Sequence, residues 1–255
     1  MLIDTHTHLH FNEFQADFDE VIQRALNSGV EKIITLGTTY SSSMDALKLA
    51  RKYDGIYSAA GIHPTEAHLT KPNDINRIKD LAKSETKIVA IGEIGLDFFW
   101  NKSNAKAQYE VFGQMIRIGK ELNLPVSIHS RSAQREMQWF FQEEEIFELV
   151  GVMHCFEGDK IDAQFFLDMG LHISFTGNIT YHNFKKVDVV KYVPIDRILL
   201  ETDSPYMAPE PHKKKRNEPA FVPLIAKKLS EIHKKPLSEI ERITSENAQR
   251  LFNLV

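Results

Sequence analysis

Eight short apolar runs separated by longer amphipathic stretches predict an α/β chain closed as a single (β/α)8 barrel over residues 1–255. Three observations carry this reading. The runs at Leu2–Thr7, 32–37, 56–62, 88–94, 125–129, 149–154, 172–176 and 197–202 are nearly continuous in hydrophobic and β-branched residues, as strands buried on both faces are. The segments between them place apolar residues at helical spacing. No long linker, internal repeat or low-complexity tract interrupts the alternation, apart from the basic run 213–216. An open, doubly wound sheet is the alternative arrangement of the same elements.

The first run opens Met1-Leu-Ile-Asp4-Thr-His6-Thr-His8. Side chains alternate faces along a strand, so His6 and His8 point the same way, where two imidazoles can take one metal ion at about 2.0–2.1 Å. A merely hydrophilic strand end is the bland alternative. Residues 17–27 follow as a helix, with Phe18, Val21, Ile22, Ala25 and Leu26 on one stripe. The third run ends Gly61-Ile-His63-Pro64 and the fourth Gly92-Glu93-Ile-Gly95-Leu-Asp97. A helix over 108–122 gathers Val111, Phe112, Met115, Ile116 and Leu122. The fifth run ends Ile128-His129-Ser-Arg131, the sixth Met153-His154-Cys-Phe156 and the eighth Glu201-Thr-Asp203-Ser-Pro205. Helices over 221–232 and 237–251 complete the chain, the last with Ser238 and Glu241 spaced as a capping box.

The composition, 42% hydrophobic and 26% charged over 255 residues, is enough for one large core. A net charge of −4 excludes a basic nucleic-acid clamp. The lone Cys155 excludes an internal disulfide and fits a reducing compartment. It adjoins His154, so strand alternation turns it to the opposite side, as a buried small hydrophobe. No secretory pattern opens the chain, and no apolar run approaches the roughly 18 residues that span a membrane. The expectation is a cytoplasmic protein with no membrane association and no obligate protein partner.

In an α/β barrel the carboxyl ends of all strands meet on one face, and active sites sit there. Six of the eight run ends carry His, Glu or Asp, although gathering charge at one mouth costs desolvation. His6, His8, His129 and His154 offer imidazole nitrogens, and Glu93 and Asp203 offer carboxylate oxygens. That set is too large for one tetrahedral zinc and suits two divalent ions, with magnesium, manganese and zinc all open. Two ions about 3.5–4 Å apart need a bridging group to offset their repulsion, and Glu93, on the strand opposite the first, reaches both. His6 and His8, with Asp203, are expected to hold one ion, and His129 and His154 the other. Two dications less two carboxylates leave a formal charge of about +2, which favours a phosphate substrate. A water between two such ions has its pKa lowered toward neutrality, and Asp203 stands to take its proton. Asp203 and Glu93 are therefore the expected catalytic carboxylates.

The ordered set of motifs resembles the TatD family of metal-dependent hydrolases, within the amidohydrolase-like superfamily. The stretches that carry the resemblance are 4–8, Gly61-Ile-His-Pro64, Gly92-Glu-Ile-Gly-Leu-Asp97, 129–131, 154–156, Leu200-Glu-Thr-Asp-Ser-Pro205, Asn217-Glu-Pro219 and 244–252. The last resembles the family's Asn-x-x-Arg-Leu-Phe ending. Each motif alone is weak, but the set covers nearly the whole chain. The resemblance implies a TIM-like barrel, metal ligation at His6, His8, Glu93, His129, His154 and Asp203, and DNase activity, often 3′–5′ exonuclease action. Departures from the family pattern are Thr65 after His63-Pro64, Ser132 in place of an acidic residue, Glu157 in place of a serine, and a basic loop of Lys-Lys-Lys-Arg without glycine. None removes a ligand, though Glu157 beside a phosphate path weakens nucleic-acid binding.

His63 is either a hydrogen-bonded structural residue or a substrate contact at the barrel mouth. Arg131 either pairs with a carboxylate or binds phosphate bidentately. Charge runs are usually solvated, yet Lys215 and Arg216 follow the eighth run and are placed to guide a phosphodiester backbone. Asp97 and Glu201 either orient the ligand histidines or pair with Arg131 or the basic loop. Phe98, Phe99 and Trp100 read as packing residues, unless a base stacks on one of them. Three functions follow from this site. The first is a DNase acting on single-stranded or frayed DNA ends, because the net charge is poor for wrapping duplex. The second keeps the site and cleaves an ester or amide, as an aminoacyl-tRNA deacylase does. The third is a non-catalytic scaffold, which the complete ligand set argues against.

Overall fold

Each apolar run forms a strand. A computed structural model describes residues 1–100 and 102–254. Its strands are β1 (Leu2–Thr7), β2 (Val30–Leu36), β3 (Ile56–Ala60), β4 (Ile88–Asp97), β5 (Val126–Arg131), β6 (Gly151–Met153), β7 (His172–Phe175) and β8 (Ile198–Leu200). They pair in parallel in chain order, β1 through β8. Between them run α1 (Phe18–Asn27), α2 (Tyr40–Lys52), α3 (Pro72–Ser84), α4 (Ala105–Leu122), α5 (Gln134–Glu143), α6 (Lys160–Asp168) and α7 (Val187–Tyr192). α8 (Val222–His233) and α9 (Leu237–Phe252) follow β8. This is the TIM-like (β/α)8 barrel that the sequence predicts. A doubly wound sheet reverses its strand order at a switch point, and the order here is unbroken.

The ring closes where the chain beyond β8 returns to β1. Thr7 bridges Ser204 in parallel, the His8 N–H donates to the Ser204 carbonyl at 2.8 Å, and the Asp203 N–H donates to the His6 carbonyl at 2.9 Å. Asp4 tightens this seam by accepting the backbone N–H of Thr202 at 2.9 Å and its hydroxyl at 2.6 Å. Closure of the barrel thus sets Asp203 directly beside His6 and His8.

Strand alternation divides the core into two layers. Ile198 and Leu200 join the layer between strands and helices, whereas Leu199 joins an inner cluster with Ile3, Leu36, Val89 and Val152. Phe252 and Leu254 fill the same inner cluster. Asn247 of α9 donates to the carbonyls of Ile195 and Ile198 at 3.0 and 2.9 Å, at the amino end of β8. The C-terminal Asn-x-x-Arg-Leu-Phe stretch therefore plugs the amino-terminal mouth of the barrel. The opposite mouth is left for the polar residues.

The predicted capping box does not form. Pro236 is the N-cap of α9 and no side chain caps the helix, so Ser238 already lies in the first turn. The fixed φ of proline, here −54°, launches the helix in its place. Among the described residues, no helix is long and apolar enough to cross a membrane.

Candidate metal centre

Two backbone features aim side chains into the carboxyl-terminal mouth. The pairing register shifts between Asp4 and Thr7 in β1 and between Ile91 and Ile94 in β4, beside His6 and Glu93. Such irregularities re-aim side chains next to sites. Gly95 has φ 142°, and a Cβ there would stand 1.9 Å from the His129 carbonyl oxygen. Only glycine allows β4 to pass this close to the residue it pairs with.

Glu93, 3% exposed, stands at the centre and turns its two oxygens to different histidine pairs. Oε2 lies 3.4 Å from Nε2 of both His6 and His8. Oε1 lies 2.9 Å from Nδ1 of His129 and 3.1 Å from Nε2 of His154. Asp203 Oδ1 lies 3.9 and 3.7 Å from Nε2 of His6 and His8. Donor atoms around a tetrahedral ion with bonds of about 2.0–2.1 Å stand roughly 3.3 Å apart. These separations match that spacing. His6, His8 and Asp203 form one group whose donor atoms could hold an ion, and His6, Glu93 and His154 form another.

Hydrogen bonds behind the histidines leave lone pairs facing Glu93. His8 Nδ1–H donates to the Leu36 carbonyl at 2.9 Å, and a carbonyl only accepts, so Nε2 carries no proton in the neutral ring. His154 Nδ1–H donates to Glu201 Oε1 at 3.1 Å, so Nε2 carries the lone pair in the neutral ring. His129 is turned the other way: Nε2–H donates to Asp97 Oδ2 at 3.0 Å and Nδ1 faces the site. His6 Nδ1 meets the Ser127 hydroxyl at 3.3 Å, while its Nε2 is buried with no hydrogen-bond partner among the described residues. An orphaned buried nitrogen is costly unless something outside the chain engages it. The donor set therefore fits divalent metal.

The charges agree. Burial opposes ionisation of Glu93, yet His63, His154 and His6 around it hold its carboxyl well below the usual range. Burial likewise opposes a charge on His154, but Glu201 and Glu93 raise it well above an ordinary imidazole. Burial keeps His6 below its ordinary value. A carboxylate so enclosed calls for positive charge around it.

His63 differs from the other four histidines. The Thr65 backbone N–H donates to its Nδ1 at 3.2 Å, with the Thr65 hydroxyl at 2.7 Å. Burial pushes its pKa down to about 3, so the ring is neutral and its proton sits on Nε2. That N–H faces Glu93 Oε1 across 3.5 Å. His63, Asp97 and His129 also bring donor atoms together. The tautomer of His63 and the Asp97–His129 hydrogen bond already commit ring protons to that group, which sets it apart from the other two.

The structure brings all six expected ligands together, with Asp97 and Glu201 behind the histidines. Arg131 lines the cleft and lies over the Phe99 ring, 3.9 Å from its centroid. Arg216 corrects an expectation. Its guanidinium grips Asp17 at 2.7 and 2.8 Å, beside an Arg24–Glu218 pair at 2.8 and 2.7 Å, so it ties the basic loop to the start of α1 rather than facing the cleft. Lys215 is exposed on that loop, outside the cleft lining. Cys155 also differs from expectation. β6 ends at Met153, the φ of Cys155 is 44°, and its side chain lines the cleft instead of turning away. Sequence reasoning missed Phe11, Thr65, Tyr206 and Met207, which line the same cleft of about 600 Å³. Their one sequence signal is position, within a few residues of a strand end that carries one of the polar residues named above.

A family model described as TatD related DNase matches residues 3–253. The uncharacterized metal-dependent hydrolase YabD of Bacillus subtilis is 42% identical over 255 residues, covering 100% of both chains. The 3′-5′ ssDNA/RNA exonuclease TatD of Cronobacter sakazakii is 35% identical, over 98% of this chain and 97% of its own. Among solved structures, YjjV, a TatD homolog from Escherichia coli K12, matches with a TM-score of 0.93 at 31% identity, covering 100% of this chain and 98% of that one.

Proposed function

The chain belongs to the TatD related DNase family of metal-dependent hydrolases, and on that footing we propose that it is a phosphodiesterase acting on single-stranded or frayed DNA ends, in the 3′–5′ direction. The observation that carries the reading is the division of Glu93 between two histidine pairs. His6, His8, Asp203 and Glu93 Oε2 would hold one divalent ion, and His129, His154 and Glu93 Oε1 a second, from magnesium, manganese or zinc. When bound, such ions lower the pKa of a coordinated water and offset charge on a phosphoryl group.

The chain supplies the rest. Asp203, with 15% of its side chain exposed to the cleft, is placed to take a proton from the attacking water. Glu201, Asp97 and the Leu36 carbonyl fix the imidazoles so that no reorganisation is needed during the reaction. His63 donates its Nε2–H to a phosphoryl oxygen. Arg131, at the rim, binds a neighbouring phosphate.

One observation favours a second reading. Glu66 and Glu157 line the cleft, and their carboxylates repel phosphate but attract an ammonium group. An aminoacyl ester on an RNA end, cleaved by a deacylase, carries such an ammonium.

The test is shortening of end-labelled single-stranded DNA by metal-stripped protein, by protein reloaded with magnesium, manganese or zinc, and by Asp203→Ala. Metal-dependent shortening from the 3′ end, lost in the variant, is expected. No cleavage with any metal, in protein that binds metal, overturns the phosphodiesterase reading and turns attention to aminoacyl esters.

A further inference from the structure

Two walls of the cleft carry aromatic faces that the hydrolytic chemistry does not use. On one, Phe11 stacks on His8 with centroids 4.9 Å apart and planes within 10°, and Tyr206 meets Phe11 edge-on at 6.4 Å. On the other, Trp100 packs edge-on against Phe99 at 5.1 Å, with Arg131 over the Phe99 ring. Trp100 is 68% exposed and Tyr206 52%, and both line the cleft. The Trp100 wall is hydrogen-bonded to the site. Asp97, whose Oδ2 orients His129, accepts the backbone N–H groups of Phe99 and Trp100 on its Oδ1, at 3.0 and 3.1 Å. The aromatic rim and a metal-facing histidine therefore share one anchor.

Charge indicates what covers these faces. Among the described residues, and apart from the proposed ligands and Asp97, the charged side chains lining the cleft are Arg131, Glu66 and Glu157. One cation against two anions gives a phosphate backbone little purchase beyond the scissile group. A nucleic acid held here must gain affinity from something other than phosphate contacts, and every base offers an apolar face for stacking on an aromatic ring.

We infer that Trp100 and Tyr206 stack the bases flanking the scissile phosphate, so that the site selects a single-stranded nucleic-acid end whose bases are unpaired. This rests on the phosphodiesterase reading and names how that substrate is gripped. A cleft of about 600 Å³ accommodates a strand end. A duplex end must fray before its bases present free faces to the two walls.

The experiment compares binding of two short single-stranded oligonucleotides by fluorescence anisotropy. Both are phosphorothioate-linked to resist hydrolysis, and one lacks the bases at its terminal positions. Metal-loaded wild-type protein, Trp100→Ala and Tyr206→Ala are used, with Trp100→Phe and Tyr206→Phe to retain a ring. Each alanine variant is expected to weaken binding of the intact strand by about 5- to 150-fold, the range for one stacked base. The phenylalanine variants restore most of that loss. The abasic strand, deprived of both stacks, binds wild type more weakly than the intact strand binds either alanine variant, and the alanine substitutions cause no further loss on it relative to wild type. Equal wild-type affinity for both strands, or equal loss on both in the variants, overturns the inference. The cleavage assay above is separate: a strand bound through its bases but never hydrolysed sinks the phosphodiesterase reading and leaves the rim standing. A strand cleaved without regard to its bases does the reverse.

Discussion

Glu201 Oε1 lies 3.1 Å from Nδ1 of His154 and also accepts the backbone N–H of the next residue, Cys155, at 2.7 Å. One buried carboxylate thus fixes both the ring of a proposed metal ligand and the backbone turn that carries it. Glu201→Gln keeps the shape and an acceptor oxygen but removes the charge. Metal affinity is expected to fall about 10- to 100-fold, as when such carboxylate–histidine pairs are broken. Competition with a chelating dye measures it, and an unchanged affinity would show that Glu201 does not tune the ligand.

His63 presents an N–H rather than a lone pair, because Thr65 donates to its Nδ1. His63→Ala should therefore leave the metal content intact and lower kcat/KM. A hydrogen bond to a charged group contributes about 1.5–3 kcal/mol, which corresponds to roughly a 10- to 150-fold loss. Elemental analysis beside the kinetics separates the roles: a variant that loses metal along with activity identifies His63 as a ligand.

Arg216 and Asp17 are partly exposed, so their bidentate pair contributes at most about 1 kcal/mol of stability. Arg216→Ala should shift the urea midpoint slightly and leave the salt dependence of single-stranded DNA binding unchanged. Loss of one phosphate contact would instead reduce that log–log slope by about 0.7, and such a change would place Arg216 on the substrate path.

His172 opens β7 at the end of the barrel away from the proposed metal centre. Burial, reinforced by Arg197 and Arg250, lowers its pKa from 6.5 to about 4. The folded state then binds fewer protons than the unfolded state between those values. Its contribution to stability is complete above about pH 6.5 and is lost as pH falls toward 4, with a slope of up to about 1.4 kcal/mol per unit. His172→Gln should flatten this part of the stability–pH curve in urea titrations. Identical curves for both proteins would show that His172 titrates alike in the folded and unfolded chains.

The barrel was legible because parallel strands buried on two faces read as unbroken apolar runs. The proposed ligands were legible because they break those runs at their carboxyl ends, where a barrel brings distant residues together. What stayed hidden depends on partners that periodicity does not encode. Arg216 is claimed by Asp17, 199 residues away in the chain. The role of His63 turns on one backbone N–H, that of Thr65. Cys155 escapes strand alternation because its φ is positive. Asp97 joins His129 to the Trp100 wall through oxygens whose partners only the folded geometry reveals.

That Glu93 bridges two ions is tested most directly by an anomalous difference map from crystals grown with manganese or zinc. Two peaks about 3.5–4 Å apart are expected, one beside His6, His8 and Asp203 and the other beside His129 and His154, with one Glu93 oxygen on each. A single peak, or two peaks with Glu93 outside their coordination, would contradict the binuclear centre.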